Sequence, residues 1–110
     1  MYYFNKASGS VEEIVVKGMP LGAMATIPFY SEVKKEITTG DVLLLFSDGI
    51  PEQMNSEEEM YDYPRFLERF KDLVNYEPQE IIDTVMKEID EWRGEQIQDD
   101  DITLMVIKVK

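Results

Sequence analysis

Two stretches of the chain, Val42-Leu43-Leu44-Leu45-Phe46 and Ile102 to Val109, are apolar without the alternation of a half-exposed strand. Successive side chains of a strand point to opposite faces, so a strand apolar on both faces needs cover on two sides. The second half of the chain supplies one cover. Pro64 fits the first turn of a helix, where its missing N–H is no loss. Phe66, Leu67, Phe70, Leu73 and Val74 then recur on one helical stripe. Pro78 opens a second helix with Ile81, Ile82, Val85, Met86, Ile89 and Trp92 on one face, and Gly94 closes it. Two amphipathic helices cover one face of a sheet. The other face needs a second sheet or another copy of the chain.

The first half adds extended segments. Tyr2-Tyr3-Phe4 and Val11–Val16 flank the turn-forming Lys6-Ala7-Ser8-Gly9-Ser10 and predict a hairpin. Gly18-Met19-Pro20-Leu21-Gly22 reads as a loop, and Thr38-Thr39-Gly40-Asp41 as a tight turn. From Phe29 to Ile37, Phe29, Ser31, Val33 and Ile37 alternate with Tyr30, Glu32, Lys34 and Glu36, which predicts a half-buried strand. The acidic run Ser56-Glu57-Glu58-Glu59 fits either a helix start or a solvated loop. Strands followed by helices and a last strand give an α+β class: an antiparallel sheet with two amphipathic helices packed on one face.

Composition narrows the chemistry. The 110 residues contain neither cysteine nor histidine. Disulfides, thiolate catalysis, Ser-His-Asp triads and His- or Cys-bound zinc are thereby excluded. Catalysis would have to run on carboxylates, hydroxyls, lysines, backbone amides or a metal. The net charge is −12, which disfavours nucleic acid and anionic lipid as partners and suits cations or basic protein surfaces. No run approaches the roughly 20 apolar residues of a membrane span. Met1–Ile14 lacks the apolar core of a signal peptide. A cytoplasmic location is the expectation.

Ser47-Asp48-Gly49 directly follows the first doubly apolar strand, and Asp99-Asp100-Asp101 directly precedes the last. If the two strands are antiparallel neighbours, both sets of aspartates lie at one end of the sheet. Carboxylates about 4 Å apart repel by roughly 4 kcal/mol at an effective dielectric near 20, which a hard cation such as magnesium or manganese would offset. Taken singly, Asp-Gly after a strand is ordinarily a turn, and an acidic run before a strand ordinarily protects a sheet edge.

Together the motifs are more specific. Gly-Met-Pro-Leu-Gly at 18–22, Gly-Asp-Val-Leu-Leu-Leu-Phe-Ser-Asp-Gly-Ile at 40–50, Glu52 and Asn55, Glu59-Met60-Tyr61, and Asp100-Asp101-Ile102-Thr103-Leu104 occur in one order. The chain resembles the sporulation-protein-E-like branch of the protein phosphatase 2C (PPM) superfamily over nearly its whole length. The resemblance implies a portion of a PPM-type β-sandwich flanked by helices. It implies that Asp48 and Asp100 bind catalytic Mn2+ or Mg2+, two ions in the family, with Asp101 nearby and Asp99 outside the motif. It further implies hydrolysis of phosphoserine on a regulatory protein of the anti-sigma-factor antagonist type. The family's upstream Asp-Gly metal motif and Ala-Gly-His stretch do not occur before the opening hairpin. Pro51 stands where a Thr or similar residue usually precedes the Glu, and Tyr61-Asp62-Tyr63 replaces a stretch that typically holds a glycine. A C-terminal portion of a phosphatase domain, lacking part of its metal shell and inactive alone, is the expectation.

Two other readings are open at this level. One is a non-catalytic interaction module of the same fold, self-associating through the uncovered sheet. The other is an acidic α+β domain whose aspartates bind calcium or nothing.

Overall fold

The computed structural model describes residues 1–20, 22–26 and 31–110. Among these residues six elements follow in order: β1 (Tyr2–Asn5), β2 (Ser10–Glu13), β3 (Val42–Phe46), α1 (Tyr63–Leu73), α2 (Pro78–Arg93) and β4 (Leu104–Lys108). The strands form one antiparallel sheet in the order β2-β1-β3-β4. The α+β class and the helices on one face are as the sequence predicts.

Local chemistry explains the helix limits. The Asp62 carboxylate accepts the Tyr63 N–H at 2.7 Å, and Pro64 lies in the first turn of α1. Before α2 the Glu77 N–H donates to the Glu80 carboxylate at 2.9 Å, which satisfies a backbone donor at the helix start. Gly94 ends α2 at φ 60°, donating its N–H to Asp90 O at 3.0 Å.

Helix α1 packs over β1 and β2, and α2 over β4. Register places Tyr2 beside Leu44 and Val106, and Phe46 beside Leu104, all on the helix-facing side. There Tyr2, Phe4, Val42 and Leu44 meet Phe66, Phe70, Leu73, Ile81, Val85 and Ile89 in one core. The Tyr2 ring lies 4.7 Å from Phe46 and 5.5 Å from Phe66, and Phe46 lies 4.8 Å from Phe66. These tilted and edge-on contacts add about 0.5–1.5 kcal/mol each to the area buried. The Tyr2 hydroxyl donates to Tyr63 O at 3.0 Å, so the buried ring keeps a polar partner.

On the opposite face, register sets Leu43 beside Ile107 and Leu45 beside Met105. Met105 is 53% exposed and Ile107 42%. β4 is the edge strand of the sheet, and its outer face is left without the second cover that its apolar pattern calls for, as the sequence predicts for a sheet with helices on one face. It is also shorter than Ile102–Val109. Its far end continues as single bonds, Val109 N–H to Asp41 O at 2.9 Å and Gly40 N–H to Val109 O at 2.8 Å.

The strand expected over Phe29–Ile37 is not found at Ser31–Ile37, where every residue is exposed and irregular; Phe29 and Tyr30 lie outside the described residues. Alternation provides the side-chain half of a strand, but a ladder also needs a backbone partner. This segment meets neighbouring β2 through a side-chain pair, Lys35 with Glu12. The hairpin forms as predicted, though β2 stops at Glu13 rather than Val16. The Gly18–Gly22 loop is irregular at its described positions, with Leu21 outside them. The acidic run at 56–59 is a solvated turn. The Asn55 side chain accepts the N–H groups of Glu57 and Glu59, both at 2.9 Å, and so takes the backbone out of a helical path.

One buried carboxylate ties the turns to the sheet. Asp41 accepts from Lys6 N–H and Thr38 N–H and from the Tyr3 hydroxyl, each at 2.8 Å. The two backbone N–H groups hold its carboxyl below the usual range, with the Tyr3 hydroxyl adding to the effect. A depressed native pKa contributes stability above the unfolded value of about 4, lost as pH falls through the native value. Asp41→Asn, which turns an amide NH2 toward these donors, should lower the melting temperature at pH 7 by about 5 °C or more. The gap between the two proteins should narrow as pH falls below about 4; a constant gap in melts from pH 7 to 2.5 would contradict this account.

Candidate metal centre

The ladder between β3 and β4 ends at the pair Phe46 with Leu104. Beyond it the Ser47 N–H donates to Thr103 O at 3.0 Å. The Ser47 hydroxyl then accepts the Thr103 N–H at 2.9 Å and donates to Asp101 O at 3.0 Å. A hydroxyl can do both at once; an apolar side chain would leave both groups without this partner. Serine at 47 thus extends the pairing into the stretch that carries Asp100 and Asp101.

Gly49 permits a closer approach than any side chain would allow. A Cβ there would stand 2.5 Å from Asp101 O, 3.1 Å from Asp101 C and 3.2 Å from Asp100 O. All three are backbone atoms, which cannot swing aside as a flexible side-chain end can. The turn after Gly49 is pinned by buried Ile50 and Pro51 and by the Glu52 N–H donating to Asp48 O at 2.9 Å.

Asp48, Asp100 and Asp101 accordingly lie at one end of two adjacent antiparallel strands, all exposed. One Asp100 oxygen accepts the Asp101 N–H at 2.7 Å, and the Gln98 amide donates to Asp100 O at 2.8 Å. Tyr63, at the start of α1, borders the same end: its hydroxyl donates to Glu52 at 3.2 Å. Burial pushes the Tyr63 phenol up, and the charges of Glu52, Asp48 and Glu13 push it further.

The donors are hard carboxylate oxygens, which suit Mg2+ or Mn2+. Among the described residues no group of three carboxylates is placed to hold a metal ion by itself. The sequence did not single out Gln53, and it placed Asp99 in the acidic run but outside the family motif. The Gln53 amide donates to Asp99 at 3.0 Å, joining the Asp48 turn to the acidic run. A lone Gln in a loop and an Asp outside the family motif carry no signal of such pairing.

Gly49→Ala should displace Asp100–Asp101 or unfold the turn, costing about 1–3 kcal/mol of stability. Ser47→Ala should cost about 1 kcal/mol, with Ser47→Thr closer to the natural residue because it keeps the hydroxyl. Urea denaturation of the three variants checks the order; an unperturbed Gly49→Ala would show that the backbones are not in contact.

The family model for Stage II sporulation protein E (SpoIIE) matches residues 1–110. Stage II sporulation protein E of Bacillus subtilis (strain 168) is 30% identical over 107 residues, 96% of this chain but 12% of that protein. Among solved structures, the SiaA-PP2C domain of Pseudomonas aeruginosa superposes with a TM-score of 0.82 at 21% identity, over 99% of this chain and 42% of that one. At that identity the likeness is one of fold. The phosphatase domain of the cell fate determinant SpoIIE from Bacillus subtilis, in a crystal form without domain swapping, gives a TM-score of 0.69 at 28% identity, over 97% of this chain and 44% of that one. The chain thus spans less than half of each of these structures and about an eighth of the curated relative. Over its full 110 residues the chain belongs to the Stage II sporulation protein E family, with the fold of part of a PP2C-type phosphatase domain.

Proposed function

We propose that this chain forms one carboxylate side of the two-metal site of a protein serine/threonine phosphatase. The phosphatase would act on phosphoserine of a regulatory protein of the anti-sigma-factor antagonist type, in bacterial sigma-factor or stress signalling in the cytoplasm. The observation that carries the reading is the meeting of the Asp48 turn with the Asp100–Asp101 backbone, so close that Gly49 has no room for a Cβ. Asp48 and Asp100 would hold Mn2+ or Mg2+, with Asp101 beside them. Bound there, such ions lower the pKa of a water and neutralise charge developing on a phosphoryl group. Ser47 and Gly49 set the spacing between the two carboxylate-bearing segments. A histidine-free chain fits a reaction in which no side chain becomes the nucleophile. Among the described residues no helix is long and apolar enough to cross a membrane.

Asp48 and Asp100 are too few to fix two ions, and misplacement by about 1 Å can cost about a hundredfold in rate. The 110-residue chain alone should show no manganese-dependent hydrolysis of a phosphoserine peptide or of p-nitrophenyl phosphate. Fused to a complementary half-domain that carries the family's other Asp-Gly motif, it should turn over. Asp48→Asn or Asp100→Asn should then lower that activity at least a hundredfold. Full activity in both variants would reject the assignment of these residues.

The open sheet face supports one further expectation. Leu43, Leu45, Met105 and Ile107 form an apolar strip of the kind that soluble monomers seldom leave bare. The isolated chain should self-associate through it, and Met105→Lys with Ile107→Lys should reduce the association. A clean monomer of the natural sequence at high concentration in sedimentation velocity would count against this.

A further inference from the structure

The segment from Gly94 to Thr103 contains no helix or strand, yet it carries Asp100 and Asp101. It is fastened at two places. On the C-terminal side Ser47 grips Asp101 O and Thr103. On the N-terminal side the grip comes from Gln53, whose side chain is fully buried. Its amide nitrogen lies 3.2 Å from Ile97 O and 3.0 Å from an Asp99 oxygen, with Met54 O at 3.1 Å. The same Asp99 oxygen accepts the Met54 N–H at 3.1 Å. Gln53 is itself anchored, since its backbone O accepts from the Trp92 indole at 3.2 Å and from Tyr61 N–H at 2.9 Å. Residues 47 and 53–54 are the two ends of the turn that carries Asp48. Both ends of that turn therefore hold both ends of the Asp100–Asp101 segment.

We infer that Gln53 and Asp99 form a positioning clamp that sets where Asp100 and Asp101 stand relative to Asp48. Resting on the metal reading above, this gives Asp99 a role distinct from a ligand. The amide oxygen of Gln53 meets no partner among the described residues. A buried amide half satisfied in this way is a poorer core filler than an apolar side chain of similar length. Its contribution here is an amide NH2 shared among Met54 O, Ile97 O and Asp99. Asp99 is exposed, so its replacement leaves the core intact.

The test uses the 110-residue chain with Asp99→Ala, Asp99→Asn and Gln53→Met. Backbone 15N relaxation without metal reports the order of Asp100 and Asp101; line broadening during a Mn2+ titration reports affinity. Asp99→Asn keeps a side-chain oxygen that can accept from Gln53 and Met54, so both readings should stay near those of the natural chain. Asp99→Ala should loosen Asp100 and Asp101 and raise the Mn2+ midpoint threefold or more, and Gln53→Met should do the same. If Gln53→Met fails to fold, the two Asp99 variants decide. Asp99→Ala with unchanged relaxation and affinity overturns the clamp. Asp99→Asn as damaging to affinity as Asp99→Ala overturns it too, marking Asp99 as a ligand. Absence of Mn2+ broadening at Asp48 and Asp100 in the natural chain overturns the metal reading itself, and the clamp's role falls with it; intact broadening with unaltered relaxation in Asp99→Ala removes the clamp alone.

Discussion

Five residue pairs, from Val42 with Lys108 to Phe46 with Leu104, join β3 to β4. The end of one strand thereby meets the beginning of the other. A one-residue slip of β4 along β3 would turn Leu104 and Val106 away from the helix-facing core and put Met105 and Ile107 in their place. The Ser47 hydroxyl and the bare Gly49 then carry the fixed register past the last ladder pair. The relative placement of the acidic residues thus follows from burial several residues away. None of the three aspartates has to contribute folding energy for the end of the sheet to take this shape.

The helix-facing core is what holds that register. Tyr2, Phe46 and Phe66 pack where β1, β3 and α1 meet, and Asp41 fixes the turns at the other end of β3. Losing one of these large buried rings would cost about 3–5 kcal/mol, a large share of the 5–15 kcal/mol typical of a whole domain. On the opposite face Tyr3 is buried, but Met105 and Ile107 stay about half exposed. The sheet is well supported from one side, and its apolar pattern is suited to support from two.

Much of this was legible in the residues. The period of Phe66, Phe70 and Leu73, with proline at the start of each helix and Gly94 at the end of the second, places both helices nearly to the residue. The apolar run at 42–46 marks the central strand, and the flanking Asp-Gly and Asp-Asp motifs mark the end of the sheet where the candidate centre lies. Burial was less legible, because apolar side chains on both faces state what a strand suits and not what covers it. The alternation at 31–37 misled for a related reason: side-chain pattern is local, whereas a ladder requires an edge to pair with. The pairing of Gln53 with Asp99 was invisible because it joins positions 46 residues apart in the chain and involves residue types common in any loop.

That separation also bears on when the centre comes into being during folding. Ser47 and Thr103 lie 56 residues apart, with both helices in the intervening loop. Closing a loop of this length carries an entropic cost that must be met before the contact returns anything, so distant pairings of this kind form slowly. The helices and the β1–β2 hairpin can form from local contacts, while the β3–β4 ladder completes the sheet by a long-range closure. The acidic end of the sheet is thus expected to form late in folding. A weakness in α1 or α2 would delay or fray it, although neither helix supplies any of the three aspartates.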